Sequence, residues 1–305
     1  MSAAQTRNQR IEKLHKVARR LYSPVAPPSH RTLLEHLIYA CCLEDSKADA
    51  ADEVFAKLQV NYYDWNEVRV TTTAELAQLM KGVTDPEAAA IRVRKSLQGL
   101  FEAHYSFDID ALKKENLGKA QELIAKYRGV SPFGLSYVTQ HALGGHSIPL
   151  DRCMLSLLFT VGVISAEEQA QGKAPGLERT IPKNKGIEFA SVTHQLAVDF
   201  AASPFNPNLR KTLLQIDPTA SERFPKRGGS KAKEPEAPER KPKETKSSKA
   251  ATKPSTAKPA AKPTTSKKKG PPKKEIRSTT KNQAKSPTKG KPKTPLNRIS
   301  KRKPR

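Results

Sequence analysis

Cysteine is scarce in this chain, and the few that are present do not form a metal-binding pattern. The 305 residues include only three cysteines, and none of them belongs to a CxxC pair. His141 and His146 lie near Cys153 in the sequence, but an isolated histidine pair is more typical of a core or a surface than of a ligand set. The sequence therefore predicts no metal and no cofactor. A small, odd number of cysteines without a signal peptide also favours a reducing, intracellular compartment.

The first 224 residues also lack the alternating apolar and polar pattern of β-strands, which favours an all-α fold. Ile11, Leu14 and Val17 recur at helical spacing, and Pro24 ends that segment. Asp85, which precedes a proline, supplies an N-cap for another helix with proline in its first turn. Further helices are predicted at roughly 119–127, 133–143, 151–162 and 187–202.

Aromatic residues are absent from the C-terminal segment 225–305, where acidic residues are also rare. This segment contains 28 Lys and Arg against 5 Asp and Glu, together with 13 of the chain's 24 prolines. Nearly all of the chain's net charge of +25 therefore belongs to it. Such a composition cannot bury enough apolar surface to offset chain entropy, so the segment is predicted to be disordered. The chain accordingly divides into a basic amphipathic N-terminal helix and linker at 1–29, a helical domain at 30–224 and a basic tail at 225–305.

The charge of this tail indicates a polyanionic partner. Lysines recur beside prolines, and three are consecutive, Lys267, Lys268 and Lys269. An extended chain of this kind lays positive charge along a phosphate backbone without reading bases, and its composition resembles the tails of linker histones and histone-like bacterial proteins. Double-stranded DNA is the expected partner, RNA stays open because phosphate attraction does not distinguish the two, and a solubility tail is the weaker alternative. No apolar anchor or lipidation site accompanies the basic residues, so no membrane association is expected.

The segment 127–158 contains the most specific pattern of the sequence. Two apolar helical stretches flank a short turn of Gly129, Val130 and Ser131, and a loop with Gly and Pro then leads to Asp151 at the head of the next helix. A tight turn before a helix leaves backbone N–H groups free beside the positive end of that helix, which suits a phosphate oxygen. Two plainer interpretations stay open, a helix–helix connector for the turn and an N-cap for Asp151. The candidate phosphate contacts beside the turn and the aspartate are Lys126, Arg128 and Arg152.

This order of turn, Gly/Pro loop and aspartate resembles the helix-hairpin-helix and Gly/Pro…Asp signature of the endonuclease III superfamily of DNA glycosylases. The resemblance covers about residues 30–224 and implies a bilobal helical fold with damaged DNA across the cleft between the lobes. It also implies that the N-terminal segment and the stretch after Asp151 complete one lobe together. In the family, the matching aspartate stabilises the positive charge that develops on the sugar as the base departs, or readies the nucleophile. The resemblance therefore implies that Asp151 is catalytic.

Three positions depart from the family pattern. The catalytic lysine of bifunctional members is matched by Phe133, and no lysine occurs between Lys126 and Lys173, so lyase chemistry through a Schiff base is not expected. No cysteine follows Cys153 to hold the family's iron–sulfur cluster. The glutamine that fills the gap left by an extruded base is matched by Cys42, which is smaller and a weak hydrogen-bond donor.

Two functions from different classes follow. The first is a DNA-binding protein of base-excision repair, at most a monofunctional glycosylase that uses Asp151 and has no lyase activity. The second is a catalytically inactive DNA-binding or architectural, histone-like protein. A cleft beside Asp151 that is large enough for a base favours the first function, whereas a groove blocked by Phe133 and Tyr137 favours the second. In either case the protein is expected to be a monomer. It is expected to be intracellular, in the cytoplasm and associated with the chromosome, which means the nucleoid of a bacterium or the nucleus of a eukaryote.

Overall fold

A computed structural model describes residues 6–28 and 30–226, and every regular element within these two ranges is helical. The predicted all-α class is therefore confirmed. The tail residues from 227 onward, with Lys267, Lys268 and Lys269, lie outside the described residues. The described ranges include two 3₁₀-helices, Asp110–Lys114 and Pro218–Arg223. The α-helices are α1 (Arg7–Leu21), α2 (Leu33–Leu43), α3 (Ala48–Asn61), α4 (Trp65–Val70), α5 (Thr73–Leu79), α6 (Pro86–His104), α7 (Leu117–Ala125), α8 (Pro132–His141), α9 (Arg152–Thr160), α10 (Ala166–Ala170), α11 (Leu177–Thr180), α12 (Lys183–Ala202) and α13 (Pro207–Ile216).

Short capping patterns explain where many of these helices begin. The carboxylate of Asp85 accepts a hydrogen bond from the N–H of Ala88, and Pro86 occupies the first helical turn, as the sequence predicts. Four other helices begin at a capping box, in which the N-cap hydroxyl and a Glu or Gln side chain three residues later each satisfy a free N–H group. Their N-caps are Thr6, Thr32, Thr72 and Ser165.

Helices α2 to α8 enclose the first of two hydrophobic cores and form what is here called the first lobe. Helix α2 lies at its centre, because all of its 11 residues are buried, and it packs against α3, α6 and α8. Leu37, Ile38 and Leu97 are fully buried in this core. Each such side chain contributes ~1.5–3 kcal/mol relative to its exposed state.

Helices α1, α9, α12 and α13 enclose the second core, and with α10 and α11 they form the second lobe. Ile11 and Leu14 of α1 are fully buried there together with Leu157 and Phe189. The apolar stripe of the N-terminal helix is thus a core stripe, and α1 lies along α12. The two-lobed arrangement implied by the resemblance is confirmed.

The two lobes meet along the N-terminal end of α9 and one side of α12. The backbone N–H of Asp45, in the turn after α2, donates to the carboxylate of Asp151 at 2.9 Å. Lys47 of the first lobe forms an ion pair of 2.7 Å with Asp199 of α12. A cleft remains between the lobes beside these contacts. None of the helices described here combines the length and the apolar character needed to cross a bilayer.

Candidate functional site

The turn between α7 and α8 is held tightly against α6. Gly129 has a φ of +87°, and a Cβ at this position would lie 2.5 Å from the Cβ of Lys95 and 2.6 Å from the N of Ser96. A Cβ on Gly99 of α6 would likewise lie 2.5 Å from the backbone N of Arg128. Glycine is therefore required on both sides of this contact, for its left-handed conformation in the turn and for the close approach of the two backbones.

Two backbone donors of this turn are free. The N–H groups of Gly129 and Ser131 make no hydrogen bond with any described residue, whereas Val130 donates to the carbonyl of Tyr127. Ser131 is the N-cap of α8, where its hydroxyl accepts from the N–H of Gly134 at 3.0 Å. The free N–H groups lie beside the positive end of a helix of 10 residues, an arrangement that attracts an anion.

An acidic group lies next to the same turn. The Ser131 hydroxyl donates to Glu44 Oε2 at 2.7 Å, and Glu44 also forms an ion pair of 3.3 Å with Arg92. Burial raises the pKa of Glu44, although the positive charge of Arg92 opposes the shift. The ion pair with Arg92 offsets the repulsion that a bare carboxylate would exert on a phosphate bound at the turn.

The three basic residues predicted to contact phosphate, Lys126, Arg128 and Arg152, have exposed side chains. Lys126 pairs with Glu122 at 2.7 Å on the exposed face of α7, and Arg128 is exposed within the turn. Arg152 is 77% exposed and pairs with Asp45 at 3.4 Å. Such surface ion pairs contribute at most ~1 kcal/mol, so these cations can exchange their partners for phosphate.

Asp151 is the N-cap of α9, and its carboxylate is enclosed. Its side chain has no exposed surface. Oδ1 accepts from the N–H of Met154 at 2.7 Å, and Oδ2 accepts from the N–H of Asp45 at 2.9 Å and from Nε2 of His194 at 2.9 Å. Burial favours a higher pKa for Asp151, but the contact with His194 and the two backbone hydrogen bonds outweigh it and lower the pKa. The carboxylate is therefore ionised at neutral pH.

Asp45, Asp151 and Cys153 are the described residues that come closest to a metal-binding group. Their potential ligand atoms lie within 4.8 Å of one another. Burial, followed by the two neighbouring carboxylates, raises the pKa of the Cys153 thiol, which keeps it protonated and a poor ligand. The oxygens of both aspartates already accept backbone hydrogen bonds. The group is explained by these contacts without an ion.

A cavity of about 290 Å³ occupies the cleft between the lobes, close to the lower end of the range for ligand pockets, ~300 Å³. The first lobe lines it with the aromatic rings of Tyr39, Phe133, Tyr137 and His141, and α12 contributes Ala190 and His194. The rings of Phe133 and Tyr137 lie 6.2 Å apart at an interplanar angle of 27°. Burial lowers the pKa of His141 to about 4, so its ring is uncharged at neutral pH.

Phe133 and Tyr137 form the wall of this cavity and leave its interior open. No lysine of the described segments 6–28 and 30–226 lines the cavity, and Phe133, the match of the family lysine, is buried with its ring 5.9 Å from that of His194. Arg31 is the cation of the lining, with its guanidinium 3.8 Å above the centre of the Tyr39 ring.

Residues 22–28 close one side of the cavity as an extended strap between α1 and α2. The N–H of Val25 donates to the hydroxyl of Ser191 at 2.8 Å, and Gln195 donates to the carbonyl of Ser23 at 3.0 Å. Both partners lie on α12, so the strap follows this helix. Val25, Pro27 and Pro28 contribute apolar surface to the cavity lining.

The interpretation of Cys42 as the gap-filling position needs correction. Cys42 is fully buried within α2, and its thiol has a raised pKa because of that burial. A side chain in the middle of the core cannot enter a DNA duplex. The residues of this segment that reach the hairpin turn and Asp151 are Glu44 and Asp45, and Asp45 has a left-handed φ of 62°.

His194 is the residue of this site that the sequence did not indicate. It lies 43 positions after Asp151, in the middle of α12, where an apolar stripe gives no sign of a polar role. Only the packing of α12 against α8 and α9 brings it between the carboxylate and the cavity.

Comparison with known proteins identifies the fold. No family model matches the chain, and no curated protein matches its sequence. The structure of a non-covalent endonuclease III–DNA complex is similar with a TM-score of 0.51 and 16% identity, covering 72% of this chain and 99% of that one.

Two further solved structures are similar to a lesser degree. A trapped endonuclease III–DNA covalent intermediate has a TM-score of 0.46 and 17% identity, covering 63% of this chain and 85% of that one. A 3-methyladenine DNA glycosylase of H. pylori bound to 1,N6-ethenoadenine has a TM-score of 0.41 and 13% identity, covering 71% and 99% of the two chains. The described residues have the endonuclease III-like helical fold, as the hairpin and the aspartate predict.

Proposed function

We propose that this protein binds double-stranded DNA through the turn 129–131 and accepts one unstacked base in the cavity between its lobes. The observation that carries the proposal is the cavity itself. The ionised carboxylate of Asp151 lies near it. The same fold contains a turn with two backbone N–H groups that have no partner among the described residues. Its likeness in fold to a protein solved in complex with DNA supports the same assignment.

The turn supplies a grip that is independent of base sequence. A phosphate oxygen can accept hydrogen bonds from the free N–H groups of Gly129 and Ser131 at the positive end of α8. Lys126, Arg128 and Arg152 add positive charge around it. The tail, with its consecutive lysines 267–269, is proposed to hold further phosphates of the same duplex.

The cavity lining suits a flat aromatic ligand. Phe133, Tyr137 and His141 present ring faces, and base–aromatic stacking contributes ~1–3 kcal/mol per base. That gain compares with the few kcal/mol needed to unstack and unpair a base, a cost that is lowest for a damaged or mismatched one. Damaged or mismatched positions are therefore the proposed targets, which gives the protein a role in base-excision repair.

Any chemistry at this site is proposed to be hydrolytic. The ionised Asp151 is linked to the cavity through His194, and among the described residues no lysine lines the cavity to form a Schiff base. Borohydride is accordingly expected to trap no covalent protein–DNA adduct. A non-catalytic DNA-binding protein is the second candidate, because the Asp151 carboxylate is fully enclosed and already satisfied as a helix cap.

Binding to two labelled duplexes that differ in one central mismatched pair tests the proposed base cavity. The protein is expected to bind the mismatched duplex about tenfold more tightly, equivalent to ~1.4 kcal/mol. Ala190→Phe fills the cavity and should abolish this preference while leaving binding to the matched duplex unchanged. Val60→Phe is the matched control, since Val60 is 72% exposed on the surface of α3.

Circular dichroism shows whether both variants keep their helices. Equal affinity of the parent protein for the two duplexes would contradict the proposed base cavity. A preference for the mismatch that survives unchanged in a folded Ala190→Phe variant would locate base recognition elsewhere.

A further inference from the structure

The Asp151 carboxylate does not itself reach the cavity. Its side chain has no exposed surface, and its two oxygens accept three hydrogen bonds, from Met154, Asp45 and His194. Asp151 is also absent from the cavity lining, whereas His194 belongs to it. The carboxylate therefore lies one residue away from any water or sugar in the cavity, and the imidazole of His194 is the group in between.

We infer that His194 is the catalytic base of base hydrolysis at this site and that Asp151 positions it. The inference rests on the proposed function, because it assumes a base held in the cavity. Nε2 of His194 points at Asp151 Oδ2 at 2.9 Å. Its Nδ1 makes no hydrogen bond with any described residue.

The ionised partner decides which nitrogen carries the proton. A carboxylate accepts hydrogen bonds and cannot donate them, so Nε2 carries the hydrogen and Nδ1 of the neutral ring has a free lone pair. A ring that lines a ligand cavity, with one nitrogen held by a carboxylate and the other without a hydrogen-bond partner among the described residues, is arranged to accept a proton. The ring of Phe133, 5.9 Å away at an angle of 33°, packs beside the imidazole and limits its rotation.

The reaction balances with water as the second reactant. Nδ1 of His194 takes one proton from a water molecule as the water oxygen bonds to the sugar carbon that carries the base. The bond from that carbon to the base nitrogen breaks, and its electron pair leaves with the base, which then takes a proton from solvent. The imidazolium, stabilised by Asp151, returns its proton to solvent, and the products are a free base and an abasic site.

The charged and titratable groups around His194 come from several elements. Asp151 at the start of α9 and Asp45 after α2 lie on the Nε2 side. Arg31, Asp52 and His141 line the cavity with His194. Burial keeps His141 uncharged at neutral pH by lowering its pKa to about 4, and Arg31 and Asp52 form an ion pair of 3.4 Å. Asp151 is in direct contact with the imidazole, at 2.9 Å from Nε2.

His194→Gln separates the catalytic role from a structural one. Glutamine can place an amide N–H near the position of Nε2 and so retain the donor to Asp151, but it cannot accept a proton as the imidazole does. His15→Gln is the matched control, because His15 pairs with Glu188 at 3.6 Å in the same lobe and does not line the cavity.

Single-turnover base release is measured on duplexes that carry an alkylated purine, a deaminated pyrimidine, an oxidised purine or a mismatched pyrimidine, with alkali to reveal abasic sites. For the substrate that the parent protein processes, His194→Gln is expected to lower the rate by roughly 100-fold or more. Its affinity for the mismatched duplex and its helical signal should remain those of the parent. His15→Gln should keep the parental rate.

The double variant of His194 and Asp151 supplies a readout that a purely structural role would not change. Asp151→Asn should lower the rate as well, and the double variant should lose little more than His194→Gln alone, because the two residues act as one unit.

The inference is overturned by a His194→Gln variant that keeps the parental rate. It is also overturned if the parent protein releases no base from any duplex of the panel, in which case the pair is a structural one. The mismatch preference of the parent decides the proposed base cavity separately, so the two failures can be told apart.

Discussion

At the scale of single residues, Asp151 combines the two roles that its sequence context allows. It caps α9 through the N–H of Met154 and joins the lobes through the N–H of Asp45. Both bonds are made by the ionised carboxylate, and its contact with His194 also depends on that charge. The start of α9, the contact between the lobes and the proposed chemistry therefore all depend on the negative charge of Asp151.

Asp151→Asn should destabilise the protein at neutral pH by ~1–3 kcal/mol, because buried donors lose their charged acceptor. The pKa of Asp151 is lowered in the folded state, so its charge stabilises the fold above the ordinary aspartate pKa of ~3.9. That contribution disappears as pH falls through the folded-state pKa. Urea unfolding at pH 7 and at successively lower pH should thus show the gap between parent and variant narrowing in acid. A gap that stays constant would contradict this account.

A second carboxylate, Asp217, also contributes to the loss of stability at low pH, and it serves as a control. Asp217 is buried and paired with Arg10 and Arg223. Burial favours a higher pKa for Asp217, but its hydrogen bonds with Thr219 and these two cations outweigh it and lower the pKa. Asp151→Asn leaves this group intact, so the variant should still become less stable in acid, by a smaller total amount than the parent.

At the scale of elements, the turn between α7 and α8 depends on α6 as much as on its own residues. The backbone of the turn approaches Lys95 and Ser96 so closely that Gly129 has no room for a side chain. The position of the two free N–H donors is therefore fixed by a helix that lies more than 30 residues earlier in the chain. Weakening this packing should disturb DNA binding and stability together.

Gly129→Ala should destabilise the protein by more than the ~1 kcal/mol expected for a left-handed alanine. The added Cβ would meet Lys95 at 2.5 Å in addition to requiring a φ of +87°. Duplex affinity should fall equally for all sequences. Gly144→Ala is the control for backbone strain alone, because its φ is +64° and no atom lies within 4 Å of the added Cβ. Thermal unfolding and duplex titration of both variants check this, and equal destabilisation of the two would argue against the packing explanation.

At the scale of the whole molecule, the net charge and the hydrophobic cores belong to different segments of the chain. Both hydrophobic cores lie within residues 11–216, whereas nearly all of the net charge of +25 lies in the segment 225–305. Stability and nonspecific affinity are therefore expected to be separable by truncation. The helical part supplies the turn and the cavity, and the tail is proposed to bind additional phosphates.

Truncation after Lys226 tests this division. Affinity for duplex DNA should fall equally for all sequences, and the dependence of log affinity on log salt should become shallower by ~0.9 for each phosphate that the tail neutralises in the full-length protein. The helical circular dichroism signal and the preference for a mismatched duplex should remain. An unchanged salt dependence would show that the tail neutralises no phosphate, and disappearance of the mismatch preference would assign base recognition to the tail.

The sequence by itself indicated most of the longer helices, the turn and the aspartate. Capping is encoded within three or four residues, so Asp85 and Asp151 mark helix starts without knowledge of the fold. Helical spacing of apolar residues is equally local, and it predicted α1. The order of turn, loop and aspartate then indicated the endonuclease III-like fold.

Tertiary structure alone decided the cavity and the group that faces it. His194 meets Asp151 across 43 positions, and that contact exists only because both lobes pack and bring α12 against α8 and α9. Cys42 is buried because α2 lies at the centre of the first core, which the pattern of one segment could not reveal. Local hydrogen bonds and periodicity are properties of neighbouring residues, whereas burial and long-range contacts follow from how every apolar face in the chain is covered.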